Sequence, residues 1–470
     1  MSNAGKFGGG GGSAASSASF SSKGGHGQRG AVRIIYPTPN GQSNTTTILD
    51  RGLPSTPSLS LYGGGGAGDV TSSSAELNTY AYVTDTTTSS GATSLTVNST
   101  TGMSAGDVVF IHQTQNAVSS SDAGLFEVNY IASIPNSTTI NLVNATTNTY
   151  RSGSYNTTNQ TSTVTQVVAS PAYNNLTLGQ LALAKQWDGQ SGGILFLAAE
   201  TSFDGNGYYA SAWGRGFRGG RGSGNAGSQS IGYAAESIRG HLNSTNVAND
   251  NGGGGADGTV NAGGDSGAGG GHAEAGGPGT DGAAPQPSGG GTIGSTAMTQ
   301  IYFGGGGGRG GDNDSRTFNN YTHPDTGTET TGSTTWSTNF SAYTSFNPSW
   351  GSSRHSSGNP DVSHGGGIVV IWSPSISALR ATARGVPGMG GSSSGEKSGH
   401  GASGSIYIKT ANNGMTVTDM TVREQTQGTI DGDSIGKGGA GRIRFDIEGG
   451  TSYTGTPTTG TNGTLQVNNV

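Results

Sequence analysis

Three carboxylates, Glu200, Asp204 and Glu236, lie close to the ends of predicted strands and could act on a glycosidic bond. A pair of carboxyl groups flanking such a bond supplies a general acid together with a base or nucleophile. Only 28 of the 470 residues are acidic, so candidates for such a pair are few. A surface-polysaccharide depolymerase is therefore a minor alternative, and the sequence favours a protein without catalytic residues.

Metal-binding patterns are equally sparse. Gly276–Asp281 fits the first half of the calcium nonapeptide G-G-x-G-x-D and Gly252–Asp257 fits it loosely, while Asp312–Asp314 forms a small oxygen cluster. The nonapeptide wants a large apolar residue two positions after Asp, where this chain has Ala283 and Thr259, and true arrays repeat every nine residues. The eight His residues lack H-x-x-x-H and H-E-x-x-H spacing, and Cys is absent. We expect no cofactor, with calcium as the one weak possibility.

Aromatic residues are concentrated between positions 318 and 350. The chain has 12 Phe, 16 Tyr and 5 Trp, and seven of them lie in this stretch: Phe318, Tyr321, Trp336, Phe340, Tyr343, Phe346 and Trp350. One interpretation is an insertion that packs its own small core. The other is a surface loop whose ring faces stack on sugars or on an apolar receptor. The second interpretation predicts a receptor-binding surface at Trp336, Phe340, Tyr343, Phe346 and Trp350.

Glycine dominates the rest of the chain: 90 residues are Gly, whereas 30% are hydrophobic and 11% are charged. Glycine costs about 1 kcal/mol per position in a helix interior, which excludes an all-helical protein. The 22 basic and 28 acidic residues give a net charge of −6, unlike the clustered Lys and Arg of nucleic-acid binders. No run approaches the ~18 apolar residues of a membrane span. The composition predicts a mainly β protein with no nucleic-acid partner and no membrane insertion.

Residues 252–282 carry glycine with a period of three. Of the eleven positions counted from Gly252 in steps of three, nine are Gly and the others are Asn261 and Ala273. Three residues per turn is the period of the polyproline-II helix, which has no internal hydrogen bonds. We expect extended left-handed helices of the polyglycine-II type that bond sideways to one another, with a flexible linker as the alternative. The other expected members are 214–227, 304–311 and 385–404.

Short strands interrupt the glycine with one recurring pattern, in which glycine precedes four to six alternating apolar residues. It occurs at 192–197, 366–372, 404–408 and 441–445, and Gly30–Ile34 resembles the last of these. Repeated units predict stacked units, each burying the apolar face of the next. We expect equivalent assembly strands near the two ends of the chain, one completing the sheet of the other within the chain or between subunits. Their proposed residues are Val32, Ile34, Ile443 and Phe445.

The region 79–178 has a different composition, with β-branched residues and turn signals about every ten positions. Several short strands at this spacing predict a small antiparallel β-barrel or sandwich. The expected order along the chain is a Gly/Ser-rich segment (1–30), a strand and Gly-rich linker (31–78), the small β-domain (79–178), stacked strands with polyglycine-II helices (179–311), the aromatic insertion (312–363) and a second stacked region with the C-terminal strands (364–470).

Two stretches resemble known proteins. Gly30–Tyr36, followed by Arg51–Thr56, is similar to the terminal signature G-A-V-R-I-I-[WY] and R-x-[FY]-P-S-T of glycine-rich phage structural and tail-fibre proteins, although Leu53 replaces the aromatic residue and the spacer is longer. Residues 93–224, including Trp187–Leu195, resemble a β-domain-plus-glycine module of bacterial and viral surface proteins. These resemblances imply a structural or adhesive extracellular protein without catalysis.

We therefore expect an extracellular, non-enzymatic component of a phage tail fibre or adhesin, located on a virion tail or cell surface. Its expected partners are copies of itself and a glycan or protein of a host or neighbouring cell. The alternative is a self-assembling subunit of a cell-surface filament, sheath or layer. Because the first residues show no apolar signal region, export would use lysis, a dedicated exporter or a leader that has been removed.

Replacing Trp336, Tyr343 and Trp350 together by Ala tests the proposed receptor-binding surface. Stacking on a ligand face contributes about 0.5–1.5 kcal/mol per aromatic beyond its buried area, so we expect the triple variant to lose weak multivalent binding to cells or glycans. The melting temperature of the glycine-rich body should not change. A variant that binds as before but melts early would show that these aromatics form a core instead.

Overall fold

The structure is a computed structural model that describes the chain in segments. The described residues are 32–33, 48–49, 66–153, 162–220, 232–241, 246–256, 266–280, 286–310, 363–386, 388, 398–411, 414–424, 429–430 and 433–470. The chain divides into two units, Met1–Ser60 and Leu61–Val470. In the first unit, β1 (Val32–Arg33) pairs antiparallel with β2 (Ile48–Leu49). All further description concerns the second unit.

The second unit begins with β3 (Gly68–Thr71) and continues into a small antiparallel barrel. The barrel strands are β4 (Thr79–Tyr82), β5 (Thr87–Thr88), β6 (Ser94–Thr96), β7 (Val108–Asn116), β8 (Phe126–Asn136), β9 (Thr139–Leu142), β10 (Tyr150–Arg151) and β11 (Thr163–Ser170), with one 3-10 turn at Ser120–Asp122. The main sheet has the order β4-β11-β7-β8-β9-β6, and β5 pairs with β10. Thr84 N donates to Thr96 O at 2.9 Å, which joins the first and last strands. The small antiparallel β-domain predicted from the turn spacing is therefore present.

Strand β7 shows how the barrel is held against the rest of the molecule. Its alternating side chains point to opposite faces: Val109 and Ile111 lie in the barrel core, whereas Val108 and Phe110 belong to a second core outside the barrel. The strand is buried along its whole length. Such burial on both faces explains why its first four residues, Val108–Ile111, are all apolar.

Fourteen strands follow the barrel in the described part of the chain. They are β12 (Tyr173–Thr177), β13 (Ala182–Leu183), β14 (Ile194–Asp204), β15 (Tyr209–Ser211), β16 (Glu236–Ser237), β17 (Gly240–His241), β18 (Ile368–Trp372), β19 (Ile376–Thr382), β20 (Ser405–Ala411), β21 (Met415–Thr421), β22 (Thr429–Ile430), β23 (Asp433–Ser434), β24 (Arg442–Glu448) and β25 (Thr464–Asn469). Two short antiparallel pairs, β16 with β17 and β22 with β23, stand apart. The remaining strands pair parallel to one another.

The parallel strands form two layers that share β14. The front sheet has the order β14-β18-β20-β24-β25, in which β14 uses residues 194–198. The back sheet contains β3, β12, β13, β15, β19, β21 and residues 199–204 of β14. A buried apolar core, which includes Leu197, Ile371 and Phe445 from the front sheet and Leu379 from the back sheet, lies between the layers. The chain passes from a front strand to a back strand and returns through glycine, so each passage is one coil of a solenoid.

The predicted stacking of equivalent units is seen in the register of the front sheet. Leu195, Val369, Ile406, Ile443 and Leu465 are partners in successive strands. Equivalent residues of successive coils thus lie side by side across the sheet. They form one line of apolar side chains that faces the core, which we call the inner apolar row. Strand β12 belongs to the back sheet although it lies within the range 79–178, because the barrel itself ends with β11 at Ser170.

The glycine-rich segments between the coils bond sideways to one another. Gly305 and Gly308, three residues apart, donate to Gly271 O and Ala268 O of one neighbouring segment at 3.1 and 2.8 Å. Gly306, which lies between them, donates in another direction, to Glu236 O at 3.4 Å. This period of three is the polyglycine-II pattern. Six described segments surround 304–309 in this way: 216–220, 232–236, 251–256, 266–271, 363–366 and 398–402. We call 304–309 and these six segments the glycine bundle.

The period-three glycine at 252–282 falls partly within the described residues, at 252–256 and 266–280. None of the glycines described there has a positive φ. Most of their N–H groups donate to neighbouring segments, whereas Gly252 donates to Asn249 O and Gly269 to Gly277 O, each within its own segment. An extended backbone meets both conditions. These parts of the run agree with the predicted extended form, and the polyglycine-II helix itself stays a prediction.

The close approach of backbones leaves no space for a side chain inside the bundle. A Cβ atom on Gly305 would lie 1.7 Å from Asn251 O, and one on Gly308 would lie 1.9 Å from Gly254 O. A Cβ on Gly304 would lie 2.0 Å from Ala402 O. These neighbours are backbone atoms whose own hydrogen bonds fix them in place, so glycine is required by contact and not by backbone flexibility.

Substituting Gly305→Ala should test this requirement. The added methyl group must push whole segments apart, so we expect the free energy of unfolding to fall by about 3 kcal/mol or more. Gly153→Ala is the matched control, because its Cβ would meet nothing closer than Thr163 Cβ at 3.9 Å and the substitution should change stability by less than about 1 kcal/mol. Urea unfolding of both variants measures the difference. Equal stabilities would contradict the bundle geometry.

Candidate assembly surface

The outer face of the front sheet is covered by the barrel over its first three strands. Phe110 of the barrel packs on Phe196 of β14 with ring centroids 5.5 Å apart, and Phe126 packs edge-on against Tyr407 of β20 at 5.7 Å. Aromatic pairs at these distances are favourable beyond their buried area. The barrel therefore covers the outer face of the front sheet at β14, β18 and β20, whereas β24 and β25 lie outside the area that it covers.

Beyond the barrel the outer face of the sheet becomes polar. Asp446 of β24 accepts hydrogen bonds from Arg444 Nη2, Tyr407 Oη and Asn468 Nδ2, each at 2.7 Å. Burial raises the pKa of Asp446, but these bonds outweigh it and hold the pKa below its ordinary value. Gln466 in turn donates to Asn468 at 2.8 Å. The side chains at this end favour contact with water or with a polar partner.

The first edge of the front sheet is closed by side chains. Asn78 Oδ1 accepts from Phe196 N at 2.9 Å and Asn78 Nδ2 donates to Phe196 O at 2.6 Å. Tyr80 Oη donates to Ile194 O at 2.8 Å. Three of the backbone groups that a further strand would need are thus occupied. Blocking an exposed edge in this way prevents unwanted strand pairing.

The last edge, at β25, has no such block in the described part of the chain, where the sheet order ends at this strand. Leu465 belongs to the inner apolar row but is 37% exposed, and Val467 is only partly buried against the same core. By contrast, Ile443 and Phe445, one strand further in, are fully buried. The apolar core of the solenoid therefore reaches the surface at β25.

The proposed assembly residues fall in different places. Ile443 and Phe445 lie on β24, which pairs with β20 on one side and with β25 on the other, so the free edge belongs to β25 instead. Val32 lies on β1, whereas Ile34 is outside the described residues, as is the whole aromatic group from Trp336 to Trp350. The sequence analysis missed β25, although Gly463 followed by alternating Leu465 and Val467 repeats the pattern of the other front strands.

The candidate catalytic carboxylates have structural partners. Glu236 is 1% exposed and accepts from Arg218 Nε at 2.9 Å, from Trp187 Nε1 at 3.0 Å and from Gln115 Nε2 at 2.9 Å. Asp204, at the end of β14, accepts from the N–H of Asn206 in the following turn. A carboxylate enclosed like Glu236 joins the barrel to the glycine bundle and has no free lone pair directed to a substrate.

The described residues contain no group of three or more His, Cys, Asp or Glu side chains that could hold a metal ion. The acidic positions of the calcium-like patterns, Asp257, Asp281 and Asp312–Asp314, lie outside the described residues. Among the described residues, no helix has the length and apolar character that crossing a membrane needs. No family model, curated protein or solved structure matches this chain.

Three buried histidines make the fold sensitive to acid. Burial lowers the pKa of His112 to about 4 and that of His400 to about 4. Burial, together with the nearby charge of Arg442, lowers the pKa of His272 to about 3. For His112, burial outweighs the hydrogen bond to Ile301 O, which by itself raises the pKa. In the neutral ring Nε2 donates to Ile301 O at 2.9 Å and Nδ1 accepts from Thr114 Oγ1 at 2.9 Å.

Stability should therefore fall as the pH drops below about 6.5. There the unfolded chain protonates these imidazoles while the folded chain keeps them neutral, so the free energy of unfolding decreases by up to about 1.4 kcal/mol per pH unit for each histidine. For all three we expect a slope of up to about 4 kcal/mol per pH unit near pH 5, which decreases toward pH 4 as His112 and His400 begin to protonate in the folded chain. Urea unfolding measures it. His272→Phe should reduce this slope by about a third, whatever its effect at pH 7. A flat profile would contradict the burial of the three neutral rings.

Proposed function

We propose that this chain is a non-enzymatic structural and adhesive component of an extracellular assembly, most simply a phage-type tail fibre or adhesin. It assembles with copies of itself and contacts the surface of a host or neighbouring cell. The glycine bundle supports this proposal because its segments are held together mainly by contacts between backbones. A body of this kind offers rigidity rather than a cleft lined with reactive groups.

The observation that carries the proposal is the enclosure of 304–309 by six glycine-rich neighbours. Lateral backbone hydrogen bonds join the segments of the bundle to one another, and the chain has no cysteine for disulfides. A body made in this way presents few side chains for recognition. Specificity would then reside in segments that interrupt the glycine, and 312–363 with its aromatic cluster is the longest of these.

A self-assembling cell-surface filament, sheath or layer is the second candidate. It is favoured by the open end of the front sheet at β25, where Leu465 of the inner row is exposed. Solenoids need a polar cap at each end to stay soluble as single particles, and this end has none in the described residues. The depolymerase alternative is weaker, because the Glu236 carboxylate is enclosed by Arg218, Trp187 and Gln115.

Adsorption of the purified full-length protein to whole cells tests the adhesive role. We expect labelled protein to sediment with cells of a suitable host or neighbour, and negative-stain microscopy to show regular oligomers. Particles that close to a fixed size favour the fibre, and growth without limit favours the filament. A protein that binds no cell or glycan, but releases oligosaccharides from surface polysaccharide, would contradict the proposal in favour of the depolymerase.

A further inference from the structure

We propose that the open edge of β25 receives Gly30–Tyr36 of a second copy as the next parallel strand of the front sheet, so that copies join head to tail. The inference rests on the proposed self-assembly and names the two surfaces that carry it. One surface is the backbone edge of β25. The other is the N-terminal strand, β1 with its flanking residues.

The backbone of β25 is arranged to accept a strand. Thr464 N donates to Gly441 O and Val470 N donates to Ile447 O, so the even-numbered residues face β24. Since successive peptide groups of a strand point to opposite sides, the N–H and C=O groups of Leu465, Val467 and Asn469 point to the open edge. An added strand would bond to these groups without breaking an existing bond.

The glycine that precedes each front strand indicates how neighbouring strands are aligned. A Cβ on Gly367 would lie 2.1 Å from Gly193 O, one on Gly404 would lie 2.0 Å from Gly367 O, and one on Gly441 would lie 2.1 Å from Gly404 O. Each glycine therefore lies against the backbone of the glycine in the preceding strand. Gly463 precedes β25 at the same register, although a Cβ there would meet Thr459 O at 2.0 Å and not Gly441. A further strand in this sheet should also begin with glycine.

Gly30–Tyr36 meets the requirements of that next strand. With Gly30 placed beside Gly463, Val32 and Ile34 fall on the inner row, next to Leu465 and Val467, where they would cover the exposed end of the core. Arg33 and Ile35 then lie on the outer face of the front sheet, the face that the barrel covers at the other end. Arg33 there continues the polar character that the outer face has at this end of the sheet. In the described part of the first unit, β1 pairs only with β2, which leaves one of its edges for β25.

The two ends of the front sheet are not equivalent, and this gives the association a direction. Asn78 and Tyr80 occupy backbone groups of Phe196 and Ile194 at the first edge, so among the described residues the open edge of this sheet is that of β25. Each copy then has one donor and one acceptor. Such a heterologous contact produces a ring if the rotation closes and a filament if it does not.

Two variants of the full-length chain separate donor from acceptor. Val467→Pro removes an N–H that points to the open edge, a position where an edge strand tolerates proline. Val467→Thr keeps the N–H and is its control. Ile34→Asp places a charge on the inner row of the donor strand, and Ile35→Asp places the same charge on the outer face as its control. Sedimentation velocity measures the mass of each protein alone and in mixtures.

We expect the unsubstituted chain and both controls to form species larger than a dimer, and Val467→Pro and Ile34→Asp each to remain monomeric. An equimolar mixture of these two should form a dimer of twice the monomer mass, because the intact donor of one fits the intact acceptor of the other. Circular dichroism and melting temperatures of the two variants should match those of the controls, which separates loss of association from unfolding.

The inference is overturned if either variant assembles like the unsubstituted chain, if the mixture stays monomeric, or if the unsubstituted chain is itself monomeric. These results leave adhesion untouched, because cell adsorption is measured separately. A chain that assembles by strand donation but binds no cell would instead remove the adhesive role and keep the head-to-tail contact.

Discussion

Lateral hydrogen bonding between glycine backbones is the constraint on which this structure depends. Segments that lack Cβ atoms approach until the N–H of one donates to the C=O of the next. Three successive residues of a segment donate to three different neighbouring segments. Every interior segment therefore needs several neighbours at once, and none is stable alone. This arrangement satisfies backbone polar groups without a helix or a ladder, and it explains how a chain with only 30% hydrophobic residues buries so much of its length.

The parallel sheets and the glycine bundle need each other. Parallel strands require long return connections, which are usually α-helices, whereas here the return is made by a back-sheet strand and a glycine segment. Gly193, Gly367, Gly404 and Gly441 mark the points where bundle becomes sheet, and each rests against the preceding one. The Glu236 carboxylate links the barrel to the bundle through Gln115 and Arg218. Barrel, sheets and bundle thus form one interlocked unit.

The two edges of the front sheet differ in whether a further strand could pair with them. One end is covered by the barrel and blocked by Asn78, while the other presents an unpaired strand edge and an exposed part of the apolar core. A protein that avoids association blocks both edges. This difference between the edges is what the proposed head-to-tail contact requires: one blocked edge and one open edge in the described residues.

The sequence by itself determined the local features: the mainly β class, a small antiparallel barrel or sandwich within 79–178, the glycine-led strands and the period of three in 252–282. These follow from short-range periodicity, because residues two or three apart decide which face of the backbone carries side chains. Tertiary structure alone decided which segments are neighbours, that Asn78 closes one edge, that β25 rather than β24 is the free strand and that Glu236 is enclosed. Their partners lie tens to hundreds of residues away, and glycine segments of similar composition could pair in many ways. Only packing of the whole chain selects one.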